Sequence, residues 1–228
     1  KDSNNTNVTA IDASNPNNIN SGNNTNWTFR SSSCSNTSQY PPAQSDTYVK
    51  STSKFSTQYW PYFATDPAKS LTGTSPNNQW ASANGSATNQ RFHIDLGSGK
   101  IIKRVYYENG HDSGTATTYG VKNFTLWGSN SASAFAELTY GTDTNWTQLT
   151  IDDSQFDQHA AADAADPKYV AVTNTTPYRY YAFKIADNWG GVEEMELRRV
   201  VLQTCEPPTS TGTIFRPGAI FRAGIIFR

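Results

Sequence analysis

Between Arg91 and Leu202 the chain is divided into short runs of β-branched and aromatic residues. They are Arg91–Leu96, Ile101–Tyr107, Phe124–Trp127, Tyr169–Thr173, Tyr178–Ile185 and Met195–Leu202. Gly97-Ser98-Gly99, Asn109-Gly110, Gly128-Ser129-Asn130 and Asn188 with Gly190-Gly191 separate them. Glycine and asparagine supply the turn conformations that other residues resist. Many short strands at this pace predict an all-β sandwich or barrel rather than a βαβ sheet. The one helical candidate is His159–Ala165, with Asp157 placed to cap it, and its shortness predicts a loop setting.

Composition narrows the class of partner. The 228 residues carry a formal charge of -1, and charged residues make up only 16%. A nucleic-acid partner needs a basic face, which this balance excludes. No apolar run reaches the ~18–20 residues of a membrane span. Six Trp and twelve Tyr argue against disorder over most of the chain. The sequence opens on Lys1 rather than Met, as a processed product or a fragment would.

Four segments differ in character. Residues 1–33 are rich in Asn, Ser and Thr with few apolar anchors, and predict an extended N-terminal arm. Residues 34–206 hold nearly all the Trp and Tyr and predict the globular domain. Residues 207–213 open with two prolines and predict a linker, followed by a distinct tail over 214–228.

Cys34 and Cys205, the only two cysteines, lie near opposite ends of the aromatic-rich region. Two are too few for a Cys/His zinc site, and in an oxidising compartment they would close one domain as a disulfide. The alternative is two unpaired buried thiols. Nine Asn-x-Ser/Thr sequons occur, at Asn4, Asn7, Asn23, Asn26, Asn36, Asn84, Asn123, Asn145 and Asn174. Composition alone gives roughly five, so the excess fits a secreted glycoprotein. Asn/Thr-rich viral and bacterial surface proteins share the pattern without any glycan.

In the tail, Ile214-Phe215-Arg216 returns as Ile220-Phe221-Arg222 and Ile226-Phe227-Arg228. A period of six is even, so an extended strand would present every repeat the same way. Phe215, Phe221 and Phe227 then share an apolar face, and Arg216, Arg222 and Arg228 share the other. Pro217, Gly218 and Gly224 oppose a helix. Such a strip predicts burial against other copies of the chain, by strand addition or in an interwoven stem.

Gln90-Arg91-Phe92-His93-Ile94-Asp95-Leu96-Gly97, followed by Ile101-Ile102-Lys103-Arg104-Val105, resembles the F5/8 type C (discoidin) domains and the family 32 carbohydrate-binding modules. Further pieces agree in order. Ala64-Thr65-Asp66 precedes Gln79-Trp80-Ala81-Ser82, then come Phe124-Thr125-Leu126-Trp127-Gly128-Ser129-Asn130, Tyr178-Arg179-Tyr180-Tyr181 and Glu194-Met195-Glu196-Leu197. The resemblance covers about residues 45–203. It implies a jelly-roll β-sandwich, usually non-catalytic, whose loops bind glycans or, in some members, phospholipid or protein. It also implies a structural calcium ion, with Asp66 and Glu194 at the ion-holding positions and an oxygen from Thr72 or Thr74 between them. Carboxylates and carbonyls are the oxygens calcium takes. The chain departs from the pattern at Ala68-Lys69-Ser70, where Lys69 brings a positive charge nearby.

No serine elbow, His-Glu-x-x-His or phosphate loop occurs, and adjacent pairs such as Asp152-Asp153 point to opposite faces of a strand. His93, between Phe92 and Ile94, is expected to face outward. The chain therefore reads as non-enzymatic. Glycan binding needs an aromatic face for the sugar's C–H surface, with polar groups for its hydroxyls. Trp189, in Asp187-Asn188-Trp189-Gly190-Gly191, is the leading candidate. Asn188, Asn109 and His111 are its expected polar companions, and Trp60 and Tyr119 are further loop aromatics. Strand parity puts Trp127 on an outer face, where it is expected to meet a neighbouring subunit. The combined expectation is an extracellular or virion-surface fibre or filament subunit displaying a glycan-binding domain. The alternative is a free carbohydrate-binding module or lectin with an incidental tail.

Overall fold

Along Arg91–Leu96 the side chains alternate between two faces, and all six are buried. Phe92, Ile94 and Leu96 belong to a core between two sheets, whereas Arg91 and His93 lie beneath a segment that covers the sheet's other face. The computed structural model describes residues 34–206, together with the backbone of two short parallel strands, β1 (Ile11–Asp12) and β2 (Trp27–Thr28). Contacts divide the chain into two units, one of residues 1–35 and 206–228 and the other Asn36–Cys205. The linker and tail, including Phe215, Phe221, Phe227, Arg216, Arg222 and Arg228, lie outside the described residues.

The larger unit is a β-sandwich. Its strands are β3 (Ser35–Gln39), β4 (Val49–Ser51), β5 (Trp80–Ala81), β6 (Gln90–Lys100), β7 (Ile102–Asn109), β8 (Phe124–Ser129), β9 (Thr147–Gln148), β10 (Thr150–Ile151), β11 (Lys168–Thr173), β12 (Tyr178–Ile185) and β13 (Glu196–Glu206). One sheet runs β10-β11-β7-β13-β3, with β5 also on β13, and the other runs β4-β6-β12-β8-β9. Trp80, Phe92, Leu126, Tyr181, Phe183 and Leu197 fill the space between them. Burying a side chain of this size contributes roughly 1.5–3 kcal/mol each.

All six expected runs are strands, though β6 runs on through Gly97 to Lys100 rather than turning there. The helical candidate His159–Ala165 is not a helix. There the Asp166 carboxylate takes the Ala160 N–H (3.0 Å), a local bond that competes with a helical ladder. Among the described residues the α-helix is α1 (Ala132–Ala136), whose N-cap Ser131 accepts from the Ala134 N–H.

Pairing fixes which residues share the outer face of the five-stranded sheet. One row across it reads Lys50, His93, Ala182, Trp127 and Gln148. The next reads Arg91, Lys184 and Thr125. In the other sheet, β13 advances from Leu197 to Arg199 while β7 steps only from Asn109 to Glu108. This bulge re-aims the extra residue, Arg198.

Candidate functional site

The segment after β7 and the loop between β12 and β13 are stitched together by backbone bonds. Trp189 N–H donates to Gly120 O (3.2 Å), Gly191 N–H to Thr118 O (3.2 Å) and Lys122 N–H to Asp187 O (3.0 Å). Gly191 permits the closure, since a Cβ there would lie 2.0 Å from the Tyr119 ring.

Three residues expected to face a ligand instead frame these loops from within. Asn109 is buried and donates through Nδ2 to Val121 O (2.7 Å) and Asp157 O (2.8 Å). Asn188 is buried, with Nδ2 donating to Glu194 O (2.8 Å) and Oδ1 accepting from Gly190 N–H (3.0 Å). His111 is fully buried, its Nδ1 accepting from Gly114 N–H (3.0 Å) and its Nε2 lying 3.0 Å from Leu71 O. Loop backbone groups removed from water need such partners, and these side chains supply them.

Two of the expected aromatics stand on the rim of this frame. Trp189 is half-buried, its Nε1 donating to Phe156 O (2.9 Å), and Lys122 Nζ lies 4.7 Å from its ring centroid. Tyr119 is half-buried and donates its hydroxyl to Glu193 Oε2 (3.0 Å), a bond that pushes the phenol above its ordinary pKa. The rim thus presents an anchored indole, a phenol, a carboxylate and an ammonium. Trp60 belongs elsewhere. It stacks on Tyr62 (5.6 Å between centroids) with Lys54 Nζ 4.0 Å from its ring, and lines a separate cleft beside β4 with Lys50 and Leu138.

The covered face of the five-stranded sheet was not foreseen. Residues 131–146 cross it, and Phe135 and Trp146 form a second small core with Tyr180 and Ala182. His93 is completely buried beneath them, contrary to its expected outward exposure. Its strand parity is as expected, but the ring is capped by Trp146 and bonded through Nδ1 to Phe135 O (3.0 Å). Burial pulls its pKa down to about 4, so the imidazole is neutral at ordinary pH. Arg91 beside it donates to Thr139 O (3.0 Å) and Thr142 O (2.6 Å), and pairs with Asp143.

Residues 68–202, more than half of the chain, match the DUF5000 family, described as a domain of unknown function. The chain belongs to the DUF5000 family. No curated protein matches it. Among solved structures, chitosan-binding module 1 from the chitosanase/glucanase of Paenibacillus sp. IK-5 is similar, at 19% identity and a TM-score of 0.45, over 68% of this chain and 92% of that one. So is the family 32 module of C. perfringens NanJ in complex with galactose, at 13% and 0.46, over 68% and 92%. The family 32 module of Streptococcus pneumoniae EndoD is similar at 13% and 0.48, over 73% and 98%.

The DUF5000 chain's own residues allow a test of the calcium set. Asp66 Oδ1 accepts from Ala68 N–H (2.9 Å), and the Asp66 charge acts on Arg199. Thr72 O accepts from Ser70 Oγ (2.8 Å). Thr74 O accepts from Asn78 Nδ2 (3.0 Å) and Arg198 NH1 (3.2 Å). Arg198 NH2 also donates to Gly73 O (2.7 Å) and His111 O (2.8 Å), and Arg199 NH2 to Lys69 O (2.6 Å). Both guanidinium groups are buried, and arginine keeps its charge. Arginines therefore hold Lys69 O, Gly73 O and Thr74 O, whereas Thr72 O takes the Ser70 hydroxyl. Glu194 Oε2 is buried without a hydrogen-bond partner among the described residues, and burial followed by the Glu193 charge raises its pKa. Among the described residues no group of three or more His, Cys, Asp or Glu side chains is placed to hold a metal. Glu196 Oε2 is likewise buried without a hydrogen-bond partner among the described residues.

Asn36, Asn84 and Asn145 are exposed. Asn174 is buried, with Nδ2 on Thr176 O (2.9 Å), and Asn123 Nδ2 donates to both carboxylate oxygens of Asp187. Asn4, Asn7, Asn23 and Asn26 lie outside the described residues. Cys34 and Cys205 are both disulfide-bonded. No helix among the described residues is long and apolar enough to cross a membrane.

Proposed function

We propose that this domain is a non-enzymatic glycan-binding module whose ligand packs at the rim carrying Trp189 and Tyr119. The observation that carries the reading is the stitching of the two loops, which fixes an indole, a phenol, a carboxylate and an ammonium on one rim. Indole and phenol rings offer the apolar surface that sugar C–H groups pack on, and Glu193 and Lys122 offer polar partners for hydroxyls. The motifs that resemble family 32 modules support the same reading. The burial of His93 and His111 supports a non-catalytic role, because neither ring is presented to a substrate. The disulfide suits an oxidising, extracellular compartment. The test is an array of monosaccharides probed with wild type and with the Trp189→Ala and Tyr119→Ala variants, both of which should lose monosaccharide binding while remaining folded.

The tail supports a further layer. Its three Ile-Phe-Arg repeats would bury their apolar face against other copies, making the chain a subunit of a fibre or filament, on a virion or another extracellular surface, that displays the module.

A further inference from the structure

The outer face of the five-stranded sheet is open on the β8–β9 side, in a cleft whose one end reaches Asn123 and Ala186 beside the Lys122–Asp187 stitch. Trp127 and Tyr140 line this cleft of about 480 Å³. A second depression of about 380 Å³ continues it, sharing Thr125, Gln148 and Ser154 with the first. Each is within the ~300–1,000 Å³ of ordinary ligand sites.

The first cleft is a built arrangement. Trp127 is half-buried and its Nε1 donates to Thr125 Oγ1 (2.7 Å), which sets the ring's orientation. Lys184 Nζ lies 5.7 Å from the Trp127 centroid and 4.9 Å from that of Tyr140. It donates to Asp143 Oδ2 (2.7 Å), while the other oxygen of Asp143 takes the buried Arg91. The carboxylate is thus pinned from two sides, and each oxygen keeps lone-pair capacity for another donor. The cost of fixing it is met within the fold, so a ligand hydroxyl meets a preorganised acceptor.

We propose that this groove binds two or more consecutive residues of a linear glycan chain, as a second recognition surface independent of the Trp189 rim. Aromatic rings beside a fixed carboxylate, an ammonium and an amide match the alternating C–H and hydroxyl surface of a pyranose. The continuation past Gln148 toward Thr150 and Ser154 gives the groove length, which a single terminal sugar would not use. A nucleic acid would need a predominantly basic groove, and here Asp143 offsets Lys184.

The test uses the full-length chain on an array of monosaccharides and linear hexasaccharides of glucose, N-acetylglucosamine, galactose and mannuronic acid. Wild type and Trp189→Ala should both retain a hexasaccharide, and Trp127→Ala should weaken that binding by about tenfold or more, equivalent to ~1.4 kcal/mol. Gln148→Arg, at an exposed position on an edge strand, should do the same by filling the groove without touching the core. Monosaccharide binding at the rim should survive both groove variants, so failure at the rim and failure at the groove are read separately. The proposal is overturned if both groove variants hold every hexasaccharide as wild type does, or if Trp189→Ala retains none. It is also overturned if Gln148→Arg turns a dimer into a monomer with no glycan bound, which would assign the groove to a second copy.

Discussion

The His93 ring lies 4.9 Å from that of Trp146, centroid to centroid, tilted by 56° beneath the segment that crosses the outer sheet. Nδ1 faces a carbonyl and so carries the proton of the neutral ring, and Nε2 has no partner among the described residues. This contact joins the second core to the sheet and has a consequence for acid stability.

The folded-state pKa of His93 is about 4, below the ordinary 6.5, because burial disfavours the charged ring. The unfolded chain binds the proton more readily, so stability from this residue is present above pH ~6.5 and is lost as pH falls toward 4. The loss approaches about 3 kcal/mol. Denaturant melts across this range should show it in wild type, and a His93→Gln variant should lose the dependence over the same window.

Arg198 ties three backbone carbonyls of two loops to β13. Removing it in Arg198→Met takes the donor from His111 O, while Thr74 O keeps Asn78 Nδ2 and Gly73 O keeps the Ser113 N–H, and should lower stability by about 2 kcal/mol. Because arginines already hold the loop, excess chelator should leave the wild-type melting temperature unchanged, and added calcium should not raise it. A calcium-dependent rise in scanning calorimetry would contradict this assignment.

Glycopeptide mass spectrometry of the folded chain secreted from a eukaryotic host should find Asn174 and Asn123 unmodified. Each spends its Nδ2 on a partner inside the domain. Asn84, at an exposed turn, should be occupied.

The tail is expected to drive assembly, since its Phe residues share one face with no local partner in sequence. Phe221→Asp should dissociate multimers while leaving the sandwich folded. Multi-angle light scattering that finds wild-type particles from this variant would remove the tail from the assembly.

Strand identity was legible because inward-facing residues such as Phe92, Phe183 and Leu197 obey period-two patterning whatever lies outside the sheet. Outward positions were legible only in direction. His93 and Arg91 face outward as parity requires, yet residues 131–146 bury them, and strand patterning does not announce a crossing segment. A signal did exist in Phe135, Tyr140 and Trp146, too many aromatics for a plain loop. The loop placement and partial exposure of Trp189 and Tyr119 were legible from the glycine and asparagine around them. Asn109, Asn188 and His111 were misread because loop polarity does not reveal whether a side chain serves water or the loop's own backbone. Arg198 was missed because its placement depends on a bulge, which is a property of pairing rather than of sequence.

The central claim is that the Trp189 rim binds glycan, and titration calorimetry of wild type and Trp189→Ala against a monosaccharide selected on the array tests it most directly. The predicted result is binding by wild type, a loss of about tenfold or more in the variant, and unfolding free energies that agree within about 1 kcal/mol. Equal affinities would contradict the claim, as would a stability loss of ~3–5 kcal/mol, which would mark Trp189 as a core residue rather than a binding platform.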